Sequence, residues 1–262
     1  MPQDLSRRTS FNSVVENYHA SRPHYPEALF DTLVAKAGLT DDAKLLEIGP
    51  GTGHATEPLA RRGFDIAAVE LGAKLADKAR ETLSQYPNVR IVVGAFETMP
   101  LATNAFDLVY AASAFHWIEP AAKFSKPHAL LKSGGHLAII RAAPISDEAG
   151  DAFFHASQPV YKKYTPGFRE ESIGLLRRDE LKPAEVDGTL FTVSSFDTFP
   201  VVFRYSAKEY VALLGTYSPT IAMEPDRRAG FLGDMKSLIE NEFGGRIERH
   251  MSMNLTIALR RD

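Results

Sequence analysis

The chain contains no cysteine among its 262 residues. That absence removes disulfides, thiolate zinc sites, cysteine-held iron–sulfur clusters and cysteine nucleophiles together. Charge of one sign is also missing: 30 basic and 33 acidic residues are well mixed and leave a formal charge of -3. No basic footprint for nucleic acid or for an acidic membrane surface follows from such a balance. Long apolar runs are lacking too, and none approaches the eighteen or more residues of a membrane span. Ser6-Arg7-Arg8 begins like a twin-arginine signal, but Thr9 to Arg22 carries Glu16, Asn17 and His19 and no apolar stretch. A cytoplasmic protein is expected, with small molecules rather than polymers or membranes as its partners. Its oligomeric state is not readable.

At 44% hydrophobic and 24% charged residues, the composition suits one elaborated domain with a substantial core. From residue 27 to 141, helical periodicity alternates with short β-rich runs, the pattern of a parallel sheet covered by helices. Strands are expected at Lys44–Ile48, Asp65–Leu71, Val89–Val93, Ala105–Ala111 and His136–Arg141, the last after the Gly134-Gly135 turn. Helices are expected at about 54–62, 73–85 and 120–131, with Pro58 kinking or delaying the first. After Arg141 the regularity breaks. The stretch to about 195, with Phe153, Phe154, Tyr161, Tyr164, Phe168, Arg169, Arg177 and Arg178, reads as a helical cap over the carboxyl edge of the sheet. Strands at 196–205 and 246–260 close the chain around helices near 206–215 and 225–243, the final strand antiparallel at an edge. The expected architecture is thus an α/β, Rossmann-like doubly wound sheet in one domain. Within it, 1–26 forms an N-terminal lid, 27–141 the cofactor-binding core, 142–195 the cap and 196–262 the closing strands and helices.

The chemistry concentrates at residues 45–53, Leu-Leu-Glu-Ile-Gly-Pro-Gly-Thr-Gly. A glycine turn between a strand and a helix lets a ligand approach the backbone, and Glu47, two residues before Gly49, makes that ligand cationic nearby. A pyrophosphate would be repelled there, whereas an ammonium or sulfonium would be held. In the dinucleotide fingerprint the third glycine would fall where His54 stands. Glu70, near the end of the second strand, suits a ribose diol. S-adenosyl-L-methionine meets these demands, its cationic end toward Glu47 and its ribose toward Glu70. The alternatives are an NAD-dependent oxidoreductase and a protein that binds S-adenosylmethionine without catalysis.

Residues 45–53 resemble motif I of the class I S-adenosylmethionine-dependent methyltransferases. The similarity extends through Glu70, residues 94–100, Phe106-Asp107-Leu108-Val109 and the Gly134-Gly135 turn. It implies a seven-stranded sheet, mostly parallel with an antiparallel last strand, and S-adenosyl-L-homocysteine as product. Phe11, Tyr18, Arg22-Pro23, Tyr25-Pro26 and Ala114-Phe115-His116-Trp117 are similar to the branch that holds the trans-aconitate and the ubiquinone and menaquinone small-molecule enzymes. The resemblance implies cofactor contacts from Tyr18, Arg22, Glu47, Gly49, Pro50, Gly51, Gly53, Glu70, Leu71, Ala95, Phe96, Glu97, Ala112, Phe115 and His116. Ala95 replaces the aspartate that many relatives offer to the adenine amino group, leaving backbone near Phe96, apolar stacking or Glu97 to hold the base.

Methyl transfer asks the protein mainly to position, align and exclude water. His116, after the fourth strand, is the candidate general base, with contact to the cofactor as its other reading. Tyr18 and Arg22, four apart, share a helix face and together could cover the cofactor. Arg141, Arg169, Arg177, Arg178 and Arg204 would suit an acidic acceptor if two or more converge. His54 reads as a first-turn residue near solvent. His19 and His24 with the scattered His128, His136, His155 and His250 offer no metal pattern, so no metal is expected.

Overall fold

The computed structural model describes residues 5–146, 151–166 and 175–262; Phe168 and Arg169 lie outside them. A 3-10 turn at Leu5–Ser13 leads into α1 (Val15–Ser21) and α2 (Glu27–Lys36). The core then runs β1 (Lys44–Ile48), α3 (Thr56–Arg61), β2 (Asp65–Glu70), α4 (Ala73–Thr82), β3 (Val89–Val93), β4 (Phe106–Ala112), α5 (Ser125–Leu130) and β5 (Leu131–Ser146). Beyond it come α6 (Ala152–Tyr164), a two-residue β6 (Leu176–Arg177), β7 (Phe191–Ser206), α7 (Ala207–Leu214), α8 (Ser218–Ile221), α9 (Pro225–Glu242) and β8 (Arg246–Arg260).

The sheet order is β3-β2-β1-β4-β5-β8-β7, with β6 paired to the end of β5. Strands β1 to β5 are parallel neighbours, and β8 runs antiparallel to both β5 and β7. The chain is therefore an α/β Rossmann-like sheet whose last strand is reversed, as expected. The expected edge position of that strand is wrong. Strand β8 is inserted between β5 and β7, and Met253, Leu255, Ile257 and Ala258 are at most 1% exposed. Its imperfect alternation in sequence is that of a strand covered on both faces.

Because neighbouring side chains on a strand point to opposite faces, each strand feeds two cores. Leu45, Leu108, Tyr110, Leu255 and Ile257 pack with Leu29, Phe30, Leu33 and Leu59 of α2 and α3. Leu46, Val109, Leu137, Ile139 and Ala258 pack with Leu130 and Phe191 on the other face. Pro58 falls in the first turn of α3, where its missing N–H has no intrahelical partner to lose, and the helix begins at Thr56, two residues after the expected start. The helix expected from 120 begins only at Ser125. Strand β5 already starts at Leu131, with its register against β4 shifting between Phe106 and Leu108 opposite the glycine pair.

Within residues 142–195, α6 packs on α9 and β8. Ala184, Val186 and Leu190 instead run back along the face shared with Phe191. Helices α7 and α9 complete the cover with α6 through a third apolar cluster of Phe153, Tyr210, Leu213, Phe231, Met235 and Ile239. Cover over the carboxyl ends thus comes from α6 together with residues 207–242. Helix α1 docks on α7, where Asn17 donates to the Ala212 carbonyl at 2.8 Å.

Candidate functional site

Two adjoining spaces open at the carboxyl ends of β1, β2, β4 and β5. The outer is a cleft of about 580 Å³ reached by Tyr18, Arg22, Gly49, Gly51, Glu70, Leu71, Ala95, Phe96, Glu97, Ala112 and His116. The inner is a cavity of about 290 Å³ walled by Glu47 and Pro50 on the sheet side and by several tyrosines of the cap. Tyr18, Arg22, Gly49, Ala112, Ser113, Ala142, Tyr217 and Met251 border both.

The three glycines of the turn do different work. Gly49 has φ +67°, and a Cβ there would lie 2.7 Å from Ala114 Cβ. Gly51 has φ +60°, with the Tyr18 ring 3.5 Å from the place of its missing Cβ. Both border the cleft. Gly53, also expected to admit the cofactor, lies outside both spaces; at φ +94° its missing Cβ makes room for Leu83 Cδ1 at 2.9 Å. It serves close packing beside α4. Phe115 is likewise outside the cleft, because it turns into the core against Phe124.

Glu70 ends β2 and spans the turn: Gly51 N donates to Oε2 at 2.9 Å and Gly72 N to Oε1 at 2.8 Å. Burial raises its carboxyl above the ordinary value, and those amides, with Leu71's, hold it back. Glu47 is fully buried. Its Oε2 accepts from Thr56 Oγ1 at 2.6 Å and from Tyr110 Oη at 2.7 Å, while Oε1 has no partner. Burial pushes its carboxyl up to about 7 against the two hydroxyl bonds. Glu47 faces the inner cavity and not the outer cleft.

Tyr18 and Arg22 do share a helix face. The Arg22 guanidinium lies between the Tyr18 and Tyr217 rings, 4.7 Å from each centroid. It donates through Nε to Thr216 Oγ1 at 3.1 Å and through Nη2 to the Thr216 carbonyl at 2.9 Å. Glu97 Oε1 accepts from Arg8 Nη1 at 2.9 Å and from Glu119 N at 3.1 Å. Beside it Phe96, Ile118 and Leu71 offer apolar walls.

His116 sits in a short 3-10 turn at the cleft and touches the Trp117 ring. Partial burial of the ring, then Lys123 and Arg141, lowers it to about 4, so it is neutral at pH 7. It does not reach the inner cavity. His54 is not near solvent, contrary to expectation. It is 8% exposed, with ring centroids of His24 at 4.5 Å and His19 at 5.0 Å. Helix α1 and the following loop fold over the start of α3 and cover it.

Of the arginines expected beside the acceptor, Arg177 pairs with Asp179, Arg178 with Thr198 and Arg204 with Glu248 at the surface. Of that set, among the described residues, Arg141 alone borders the cleft. Sequence reasoning missed Arg249, together with Tyr205, Tyr210 and Met251. The available signal was Arg249 in step with Met251 and Met253, an inward-facing charge on a strand whose neighbours are apolar.

Residues 46–139 match a methyltransferase domain. An uncharacterized methyltransferase of Mycobacterium tuberculosis is 34% identical over 131 residues, 50% of this chain and 51% of that protein. The chain spans about half the length of the curated relatives it matches. A solved candidate type II methyltransferase from Anaeromyxobacter dehalogenans covers 92% of this chain and 97% of its own, at 20% identity and TM-score 0.65. A Haemonchus contortus phosphoethanolamine N-methyltransferase, solved with phosphomonomethylethanolamine and S-adenosylhomocysteine, covers all of this chain and 60% of its own, at 15% identity and TM-score 0.51. The fold is that of the methyltransferases. Within the methyltransferase domain, both the glycine turn and Glu70 fall inside the matched span.

Proposed function

We propose that this protein is an S-adenosylmethionine-dependent methyltransferase acting on a small-molecule acceptor. One observation carries the reading: two buried carboxylates flank the glycine turn, Glu70 at the outer cleft and Glu47, with an unpartnered oxygen, in the adjoining inner cavity. A buried acceptor atom without a donor is costly unless a ligand supplies one. An ammonium suits Oε1 of Glu47, and a ribose diol suits the remaining lone pairs of Glu70. Gly49 and Gly51 leave the backbone bare between them. Adenine fits the apolar walls of Phe96, Ile118 and Leu71, since Glu97 is already engaged by Arg8 and Glu119.

When bound, the methyl donor supplies an electrophilic carbon on a cationic sulfur; the acceptor–carbon bond forms as the carbon–sulfur bond breaks, and its electron pair stays on sulfur. The chain's own part is placement and dryness. Arg22, stacked between Tyr18 and Tyr217, ties α1 to the α7–α8 turn and closes the junction. Neutral His116 at the cleft is available as a proton acceptor, or as a hydrogen-bond partner of the donor. The Phe11, Tyr18 and Arg22 side of the cleft supports placement in the small-molecule branch that includes the trans-aconitate and quinone enzymes. Binding of S-adenosylhomocysteine, measured by titration calorimetry on wild type and Glu70→Ala, tests the reading. At least tenfold weaker binding by the variant is expected. Equal affinity discards the ribose role of Glu70, and no binding by wild type discards the function.

A further inference from the structure

Arg249 is the unexplained charge of the inner cavity. It lies on β8, and the two-residue period of a strand sets its side chain on the same face as Met251 and Met253. All three border the cavity. The side chain is 14% exposed and stacks over the edges of α6, with Phe153 and Phe154 ring centroids 5.8 and 5.7 Å from its carbon. Its counter-charge is Asp151, whose Oδ2 stands 3.3 Å from Nη1 without forming a hydrogen bond, while Oδ1 caps α6 through Phe154 N at 2.7 Å.

A guanidinium has five N–H donors, and the ion contact to Asp151 leaves others available to a ligand in the cavity that Arg249 lines. Around it stand Tyr161, Tyr210 and Tyr217. Tyr161 and Tyr210 each bring a hydroxyl that can donate to a ligand in the cavity they line. A cavity that presents a largely buried guanidinium and hydroxyl donors, with Glu47 the one carboxylate among its described lining residues, is built for an anion with two oxygens.

We propose that the methyl acceptor is a small carboxylic acid, anchored by its carboxylate on Arg249 and the Tyr161–Tyr210 hydroxyl pair. The anchored carboxylate is not the group methylated. Met251, two residues along β8 and about 7 Å from Arg249, borders both spaces together with Ser113 and Ala142; the reacting atom belongs there. This inference rests on the methyltransferase reading, which makes the outer cleft the donor site.

The test is a thermal-shift titration of the whole protein, with and without S-adenosylhomocysteine, against a panel of small aromatic and aliphatic monocarboxylic acids and their matched primary amides. Acids are expected to stabilise wild type at concentrations at least tenfold below their amides, and Arg249→Gln is expected to lose that preference while binding S-adenosylhomocysteine as wild type does. Amides as effective as acids, no acid effective, or full acid binding by Arg249→Gln would each overturn the proposal. If Arg249→Gln alone does not fold, the paired change Asp151→Asn with Arg249→Gln removes both buried charges together, and Tyr161→Phe, which keeps them, is expected to weaken acid binding by roughly threefold or more. Wild type that binds acids but not S-adenosylhomocysteine would sink the methyltransferase reading and leave the carboxylate site standing.

Discussion

Glu47 shows how one residue type at one place can announce a site while its neighbours decide its state. Tyr110 and Thr56 both give their protons to Oε2, and Oε1 is left for whatever enters the cavity. In the free protein the folded carboxyl, near 7, lies above its ordinary 4.5. The folded state therefore holds a proton that the unfolded chain has released between those values, and stability falls as pH rises from about 4.5 to about 7, then levels. Replacing Glu47 by Gln removes the contribution, so the stability of the variant relative to wild type should grow across that window by up to about 1.4 kcal/mol per pH unit. Urea titrations at a series of pH values check this; a difference that stays constant would show that Glu47 ionises freely. The acid and its distance from the glycines were legible in sequence. Its orientation was not, because Tyr110, 63 positions away, fixes it.

At the level of elements, the turn after β1 is held by packing as much as by its freedom to bend. Gly53 combines φ +94° with a Leu83 methyl 2.9 Å from its absent Cβ. Gly53→Ala is expected to cost about 1–2 kcal/mol from the backbone alone, plus a steric part that Leu83→Ala relieves. A double-mutant cycle in chemical denaturation separates the two, and additivity would mean that Leu83 yields without cost. Strands β1, β3 and β8 were read with their observed bounds, since short apolar runs ended by glycine or polar residues mark them clearly. Helix α5 and the start of β5 were misread. There the Gly134–Gly135 pair lies within a strand whose register shifts around it, so glycine signalled a bulge and not a turn.

At the scale of the whole molecule, β8 joins the parallel core to the cap. It hydrogen-bonds to β5 and β7, carries Leu255 and Ile257 into the core and brings Arg249 and Met251 to the site. Leu255 is fully buried between partners on both sides, and Leu255→Ala should lower unfolding stability by about 2–5 kcal/mol in urea denaturation. A loss well below that range would mean that the sheet closes around the gap. Among the described residues no helix is long and apolar enough to cross a membrane. What the sequence determined by itself is the alternating core, the glycine turn and the two carboxylates beside it, because these depend on spacings of a few residues and on chain periodicity. Tertiary structure alone decided which glycines border the cleft, where β8 inserts, that three histidines meet, and that Arg249 and the cap tyrosines line one cavity. Those outcomes join residues far apart in sequence, and which side chains meet is set by how helices and strands pack, which no local pattern encodes.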